Sequence, residues 1–235
     1  MHKIWPIPQN IVDRVSKRDG GTHTYAKINP KKTALIAIDL QNCFLSTDLA
    51  SVYVPGAVDI IPNVNRIADA VRESGGKVFW MHNTADGNTI QTWYSWFGIM
   101  KGGKDQIEHH IKNMSIGSKG YELHPSLIVK KEDLSVTKNR FSAFIQGASD
   151  LDKKLKAEDI DTLIIVGTLT NVCCESTARD AMMLNYKVIM VSDACAAVTD
   201  EEHNASLLNV FTTFGDIMTT DFLIEHLKIA QKQLV

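Results

Sequence analysis

The sequence predicts an α/β fold, a doubly wound and mainly parallel sheet with helices on both faces. Short runs rich in Val, Ile and Leu recur without polar alternation, as strands buried on both faces require. Segments with helical spacing of apolar residues separate these runs, and a repeated strand, helix, strand order is typical of a parallel sheet. The strong strand candidates are TALIAID (33–39), KVFWMH (77–82), DTLIIVG (161–167) and KVIMVSD (187–193).

Helices are predicted between these strands. Residues 60–71 place Ile, Val and Ala at helical spacing, and the Ser-Gly-Gly run at 74–76 supplies a stop signal. The same spacing predicts helices at 177–184 and 205–212. Three further runs are weaker strand candidates: SLIVK (126–130), LSVTK (134–138) and DIMTT (216–220).

The chain divides into two parts on the same criteria. Residues 1–30 contain Pro6 and Pro8 and predict an extended arm, and residues 31–235 predict a single domain. Within that domain, residues 83–125 interrupt the strand and helix pattern with several glycines and polar residues. This segment also concentrates aromatic residues at 93–97, which predicts the wall of a pocket or of an interface.

Composition narrows the function. The chain has 235 residues, a formal net charge of −2 and no block of like charges, which argues against nucleic acid and membrane surfaces as partners. No apolar run reaches the roughly 20 residues of a spanning helix, and the N-terminus lacks the apolar core of a signal peptide. We therefore expect a cytoplasmic protein acting on a small molecule. The four cysteines form no C-x-x-C pair, so disulfide bonds are not expected.

Three residues follow predicted strands closely. Asp39 ends the first strand, Lys138 ends LSVTK, and Cys173 follows the strand at 161–167. Ligands of open α/β sheets bind at the carboxyl ends of strands, although each residue alone is more typical of a structural role. A helix N-terminus and Lys138 would favour a thiolate at Cys173, and Asp39 would accept its proton.

Cys174 follows Cys173 directly, which raises the question of which cysteine does chemistry. It would point about 100° away around the helix and into the packing face. A disulfide between neighbouring cysteines is strained and is disfavoured in the cytoplasm. Other signatures, namely G-x-S-x-G, H-E-x-x-H, the P-loop and G-x-G-x-x-G, do not occur.

Three segments together resemble the isochorismatase-like cysteine hydrolases: DLQNCF (39–44), KNRFSAF (138–144) and GTLTNVCCESTARDA (167–181). The resemblance implies a Rossmann-type, three-layer fold and a catalytic triad of Asp39, Lys138 and Cys173. It also implies a cis peptide bond between Thr168 and Leu169, with an oxyanion hole formed by the N–H groups of Leu169 and Cys173.

The resemblance also implies the reaction, which is C–N hydrolysis of a small amide, ureide or carbamoyl substrate through a thioester. The motifs are nearest those of ureidoacrylate and N-carbamoyl amidohydrolases. Nicotinamidase-like members carry a metal-binding D-W-H motif where this chain has WMHNTAD, so no metal and no cofactor is expected. Two alternatives stay open: a nicotinamidase-like aromatic amide deamidase, and a catalytically silent binding or scaffold protein.

The remaining predictions concern the substrate and the assembly. Family members commonly form dimers or tetramers, so a homodimer or homotetramer is expected. The apolar arm residues suited to packing on a neighbour are Ile4, Trp5, Ile7 and Ile11. The candidates for the substrate-binding wall are Gln41, Asn42, His82, Trp93, Trp96 and Phe141.

Overall fold

The computed structural model describes residues 1–50, 52–100 and 102–233. Within these residues, six strands form one sheet in the order β3-β2-β1-β4-β5-β6, and every neighbouring pair is parallel. The strands are β1 (Thr33–Ile38), β2 (Lys77–Asn83), β3 (Leu134–Lys138), β4 (Thr162–Thr168), β5 (Lys187–Ala196) and β6 (Asp216–Met218).

Helices precede and connect the strands. They are α1 (Gln9–Val15), α2 (Asn42–Leu45), α3 (Ile61–Glu73), α4 (Gly87–Thr92), α5 (Lys104–Met114), α6 (Leu151–Ala157), α7 (Glu175–Met183), α8 (Asp200–Asn209) and α9 (Thr220–Gln233). Short π-helical turns span Ser95–Met100, Thr170–Cys174 and Val210–Phe214, and a 3-10 turn spans Pro30–Lys32. No helix of the described residues is both long enough and apolar enough to cross a bilayer.

The sheet lies between two helical layers, and each face has its own hydrophobic core. Side chains of α3 and α9 pack on one face, whereas those of α6, α7 and α8 pack on the other. All six residues of β1 are buried, because its side chains enter both cores in alternation. The predicted doubly wound α/β class is confirmed.

The predicted strand at 126–130 is wrong. Leu127 is buried, but the next two residues are exposed. The apolar run is therefore a loop that packs on the core through the Leu127 side chain. Its backbone bonds to α3 instead of to a strand: Ile128 N–H donates to Asn65 Oδ1 at 2.9 Å, and the Ile128 carbonyl accepts from Arg72 at 2.9 Å. Side chains of a neighbouring helix thus satisfy the polar groups that a sheet would otherwise pair.

The strand order reverses between β1 and β4, and the ends of these strands approach closely. Gly167, near the end of β4, has φ +116°, and a Cβ placed there would clash with the Ile38 carbonyl oxygen. Only glycine combines this φ with this contact. The carboxyl ends of β1 and β4 therefore meet at the switch point, where α/β sheets bind their ligands.

The segment between β2 and β3 lies partly in one core. It contains α4, the Ser95–Met100 turn and α5, and among its aromatic rings Phe97 is buried whereas Tyr94 is exposed. Trp93 and Trp96 are partly buried against the same core as α3. The path of this segment brings the indole rings toward the carboxyl end of the sheet.

The N-terminal residues lie against α8. The Trp5 N–H donates to Asn204 Oδ1 at 2.7 Å, and the His2 ring bonds Asp200 at 2.8 Å. His2 also stacks on the ring of His203, with 4.4 Å between the ring centroids. The division at residue 30 into an arm and a domain stays a prediction.

Candidate active site

The three residues predicted from strand ends lie at the same edge of the sheet. Asp39 follows β1, Lys138 is the last residue of β3, and Cys173 lies in the turn between β4 and α7. All three are buried. The Lys138 ammonium donates to Asp39 Oδ2 at 2.7 Å, with both side chains almost fully removed from solvent.

Asp39 has an unusual backbone conformation for a residue other than glycine. Its φ is +54°, in the left-handed region that Asp and Asn enter more often than most residues. Its N–H donates to the Met81 carbonyl at 3.2 Å, and its carbonyl accepts from the Thr168 hydroxyl at 3.1 Å. Bonds to both neighbouring strands thus hold the residue in place.

The two carboxylate oxygens of Asp39 differ in their surroundings. Oδ2 accepts from Lys138 and lies 3.4 Å from the Asn83 amide nitrogen. Oδ1 is buried and has no hydrogen-bond partner among the described residues. A buried carboxylate oxygen without a donor is costly, so Oδ1 is poised to take a proton or a hydrogen bond from a reacting group.

Lys138 is charged despite its burial. Burial acts to lower its pKa, but the Asp39 carboxylate and Cys173 outweigh that effect, so the pKa lies above its ordinary value. The ammonium also donates to the Arg140 carbonyl at 3.1 Å, which fixes its direction. The site therefore holds a fixed positive charge beside the carboxylate.

Cys173 is presented by the Thr170–Cys174 turn. The peptide bond between Thr168 and Leu169 is cis, and the Leu169 carbonyl accepts from the N–H groups of Val172 and Cys174, each at 3.1 Å. Two contacts from α8 hold the start of this turn. Thr170 Oγ1 bonds the His203 ring at 2.8 Å, and the Ser206 hydroxyl donates to the Thr170 carbonyl at 3.1 Å.

The thiol of Cys173 is protonated at rest. Burial raises its pKa, the negative charge of Asp39 raises it further, and Lys138 opposes both. The sequence favoured a thiolate because α7 begins two residues later, but burial and the carboxylate outweigh that effect here. Attack by this sulfur therefore needs a base that takes its proton.

Cys174 lies in the core instead of at the site. It is completely buried in the cluster that contains α7, and its thiol interacts with Cys195 on β5. Burial raises its pKa well above the ordinary value, and Cys195 adds to this effect. Cys173 lines a pocket at the site, and Cys174 is not among the residues that line it.

That pocket has a volume of about 100 Å³. Three of the predicted wall residues, Trp93, Trp96 and Phe141, line it together with Leu169 and Cys173. Each indole packs edge to face on the Phe141 ring, with ring centroids 4.7 and 5.1 Å apart. The aromatic residues at 93–97 and the predicted cysteine thus share one cavity.

Gln41 and Asn42 do not line this pocket. The Gln41 amide donates to the carbonyls of Asn83 and Tyr121 at 3.0 and 2.9 Å, and its oxygen accepts from the Asn83 N–H at 2.7 Å. Asn42 donates to the Lys119 carbonyl at 2.9 Å. Both amides therefore tie the loop around residue 120 to the sheet edge.

His82 also lies outside the pocket lining. Its ring stacks on Tyr121 with the centroids 5.0 Å apart, and its Nδ1 lies 3.2 Å from the Ser135 hydroxyl. Burial lowers its pKa, although Asp39 acts in the opposite direction. The ring is therefore neutral at neutral pH.

Several lining residues were missed by sequence reasoning, and one of them had a usable signal. Asn83 is the last residue of β2 and lines the pocket, whereas the predicted strand stopped at His82. Neighbouring residues of a strand face opposite sides, so extending the predicted strand by one residue would have placed Asn83 on the face opposite to His82. Phe97 belongs to the aromatic run predicted to form a wall, and the other missed residues are Phe44, Val52, Thr84, Thr89, His110, Met114, Asn139 and Val172.

No group of three or more His, Cys, Asp or Glu in the described ranges is arranged to hold a metal ion. The prediction that no metal takes part stays a prediction, to be tested below.

The sequence-family model of the isochorismatase domain matches residues 33–222 of this chain. This range includes all three strand-end residues and every residue of the pocket lining. The chain belongs to the isochorismatase-domain family.

Relatives in this family cover most of the chain. The ureidoacrylate amidohydrolase RutB of Acinetobacter baylyi is 32% identical over 209 residues, which make up 84% of each chain. The crystal structure of a cysteine hydrolase from Pseudomonas syringae pv. phaseolicola has a TM-score of 0.77 and 30% identity, and covers 87% of this chain and 96% of its own. N-carbamoylsarcosine amidase from Thermoplasma acidophilum has a TM-score of 0.62 and 25% identity, over 81% and 97%.

The position of Asp39 in this isochorismatase-domain protein predicts how the thiol titrates. Asp39→Asn removes the negative charge that raises the pKa of Cys173, so the apparent pKa of the thiol falls. We expect alkylation of Cys173 by iodoacetamide to rise at lower pH in the variant than in the wild type. Peptide mass spectrometry at a series of pH values measures this.

The control for this measurement is Cys173→Ala, which locates the labelled site, and a thermal melt checks that Asp39→Asn is folded. An unchanged or more alkaline midpoint in Asp39→Asn would contradict the assigned influence of the carboxylate.

Proposed function

We propose that this chain is a metal-independent cysteine amidohydrolase. It cleaves the C–N bond of a small amide, ureide or carbamoyl compound through a thioester on Cys173. One observation carries the proposal: a buried carboxylate, Asp39, has one oxygen bonded to Lys138 and the other without a partner, beside a protonated thiol that lines a pocket. The names of the amidohydrolase relatives support the same bond type.

The first half-reaction forms the thioester. Asp39 accepts the Cys173 proton as the sulfur attacks the substrate carbonyl carbon. The N–H groups of Leu169 and Cys173 stabilise the negative charge that develops on the carbonyl oxygen. The C–N bond then breaks, and Asp39 returns the proton to the leaving nitrogen.

The second half-reaction releases the product. Asp39 deprotonates a water molecule, the hydroxide attacks the thioester carbon, and the C–S bond breaks. The proton returns to the sulfur, which regenerates the thiol. Lys138 stays hydrogen-bonded to one Asp39 oxygen, which leaves the other oxygen to exchange protons with the reacting atoms.

The experiment is to trap the acyl-enzyme in the presence of a chelator. The wild type is mixed with a panel of amides, quenched in acid and weighed by mass spectrometry. The panel contains nicotinamide, biuret, maleamate, ureidoacrylate, an N-carbamoyl amino acid and the neutral aliphatic amide 4-methylpentanamide, and turnover of any one member supports the proposal. We expect ammonia release and an adduct of the acyl mass on the peptide that contains Cys173. Turnover that requires added zinc or iron would overturn the metal-independent mechanism.

We also propose that the chain is cytoplasmic and forms a homodimer or homotetramer. Ile4 and Trp5, which are 44% and 43% exposed on the N-terminal segment, are suited to such a contact.

A further inference from the structure

The pocket beside Cys173 is small and walled by aromatic rings. Its volume of about 100 Å³ is below the ~150 Å³ of an apolar cavity that holds a benzene ring. Both indoles meet Phe141 edge to face, and Phe97 extends the wall from Trp93, at 5.9 Å between ring centroids. The part of a substrate that is transferred from water into this pocket is therefore expected to be compact and apolar.

Two polar side chains of the lining already have partners. The Thr84 hydroxyl donates to the Met114 carbonyl at 2.9 Å. Thr89 Oγ1 bonds Asp86 Oδ1 at 2.8 Å and accepts from the Asp86 N–H at 2.8 Å, because these two residues form the capping box of α4. Neither hydroxyl is a strong binding site for an anion.

Besides the Cys173 thiol, the other polar side chains of the lining are two amides and one imidazole. They are Asn83, Asn139 and His110, and the His110 ring packs edge to face on Phe97 at 5.3 Å. No lysine or arginine of the described part of the chain is among the lining residues.

Two cations that interact with lining residues are already engaged. Lys138 is paired with Asp39 at 2.7 Å. The Arg140 guanidinium lies 5.1 Å from the centroid of the Trp93 ring and lines a neighbouring cavity instead of this one. It also donates to the Thr92 carbonyl at 3.1 Å.

A carboxylate in this pocket would lose its hydration and gain no cation. An unpaired buried charge is among the most costly features of a complex, whereas an apolar group gains from the same burial.

We propose that the substrate carries a compact, uncharged and apolar group beside its scissile carbonyl. The pocket then rejects the carboxylate analogues, ureidoacrylate among them. This inference rests on the proposed amidohydrolase function, because it assigns the substrate class of the same site.

The test uses pairs of compounds that differ only in replacing a carboxylate by an isopropyl group of similar shape. The pairs are succinamate with 4-methylpentanamide, and N-carbamoylglycine with isobutylurea. We expect kcat/KM of the wild type to be at least ~100-fold higher for the neutral member of each pair. We expect Cys173→Ala to bind the neutral member of each pair more tightly than the carboxylate member by a similar factor. Calorimetry measures this.

Two variants test the cause of the preference. Trp96 is partly exposed at the pocket, so Trp96→Arg places a guanidinium beside the bound group, and Trp96→Gln removes the ring without adding charge. We expect Trp96→Arg to raise kcat/KM for succinamate by ~10-fold or more over Trp96→Gln, because only the guanidinium pairs with the carboxylate.

The outcomes separate the two proposals. Neutral amides that bind Cys173→Ala but are not hydrolysed by the wild type would overturn the amidohydrolase and support the pocket assignment. Equal or better hydrolysis of the carboxylate members would support the amidohydrolase and overturn the substrate class. Binding of neither member of a pair would also overturn the substrate class.

Discussion

Cys173→Ala is expected to lose at least ~10⁴-fold in kcat for amide hydrolysis, whereas Cys174→Ala stays within about tenfold of the wild type. Each substitution removes one thiol group, and the two positions are adjacent in the chain. Only Cys173 lines the pocket, and Cys174 is completely buried in the core beside Cys195. The variants thus separate chemistry from packing.

The measurement is ammonia release at saturating substrate, with thermal melting of each variant. Cys174→Ala opens a small cavity in the core and is expected to lower the free energy of unfolding by about 1 kcal/mol. Full activity in Cys173→Ala would refute the thioester mechanism. Loss of activity in a folded Cys174→Ala would move the nucleophile to the second sulfur.

The strand-end residues could be predicted from the sequence because their positions follow from topology alone. In a parallel sheet, the carboxyl ends of all strands lie at one edge, so Asp39, Lys138 and the turn with Cys173 had to meet there once the strands were assigned. Small errors in strand bounds did not matter for these three residues.

The pocket wall could be predicted only in part, because it depends on the path of a long segment. The aromatic residues at 93–97 marked the wall, but no pattern in the sequence places Met114, Val52 and Phe44 around the same pocket. The apolar run at 126–130 shows the related failure. Its composition resembles a strand, yet its backbone is bonded by side chains of α3.

The protonation state of Cys173 could not be predicted either, because electrostatic and burial effects on its pKa oppose one another. A helix N-terminus and a lysine lower a thiol pKa, whereas burial and a carboxylate raise it. The residue types were visible in the sequence, but the balance depends on how deeply the sulfur is buried and on its closeness to Asp39.

Lys138→Met is expected to lower the free energy of unfolding by about 3–5 kcal/mol, since it leaves the buried Asp39 without its cation. Because the folded state raises the pKa of Lys138, the stabilisation is fully present below the ordinary pKa of 10.5 and is lost only as pH rises through the higher folded value. Urea unfolding at pH 7 therefore measures the full effect.

The double variant Asp39→Leu with Lys138→Met separates stability from catalysis. It removes both charges from a site where each is almost fully buried, so we expect it to recover at least half of the loss and to have no activity. A single variant that loses less than ~1 kcal/mol would contradict the burial argument. A stable but inactive double variant would mean that the ion pair is kept for proton transfer at Cys173, since apolar side chains hold the fold as well without it.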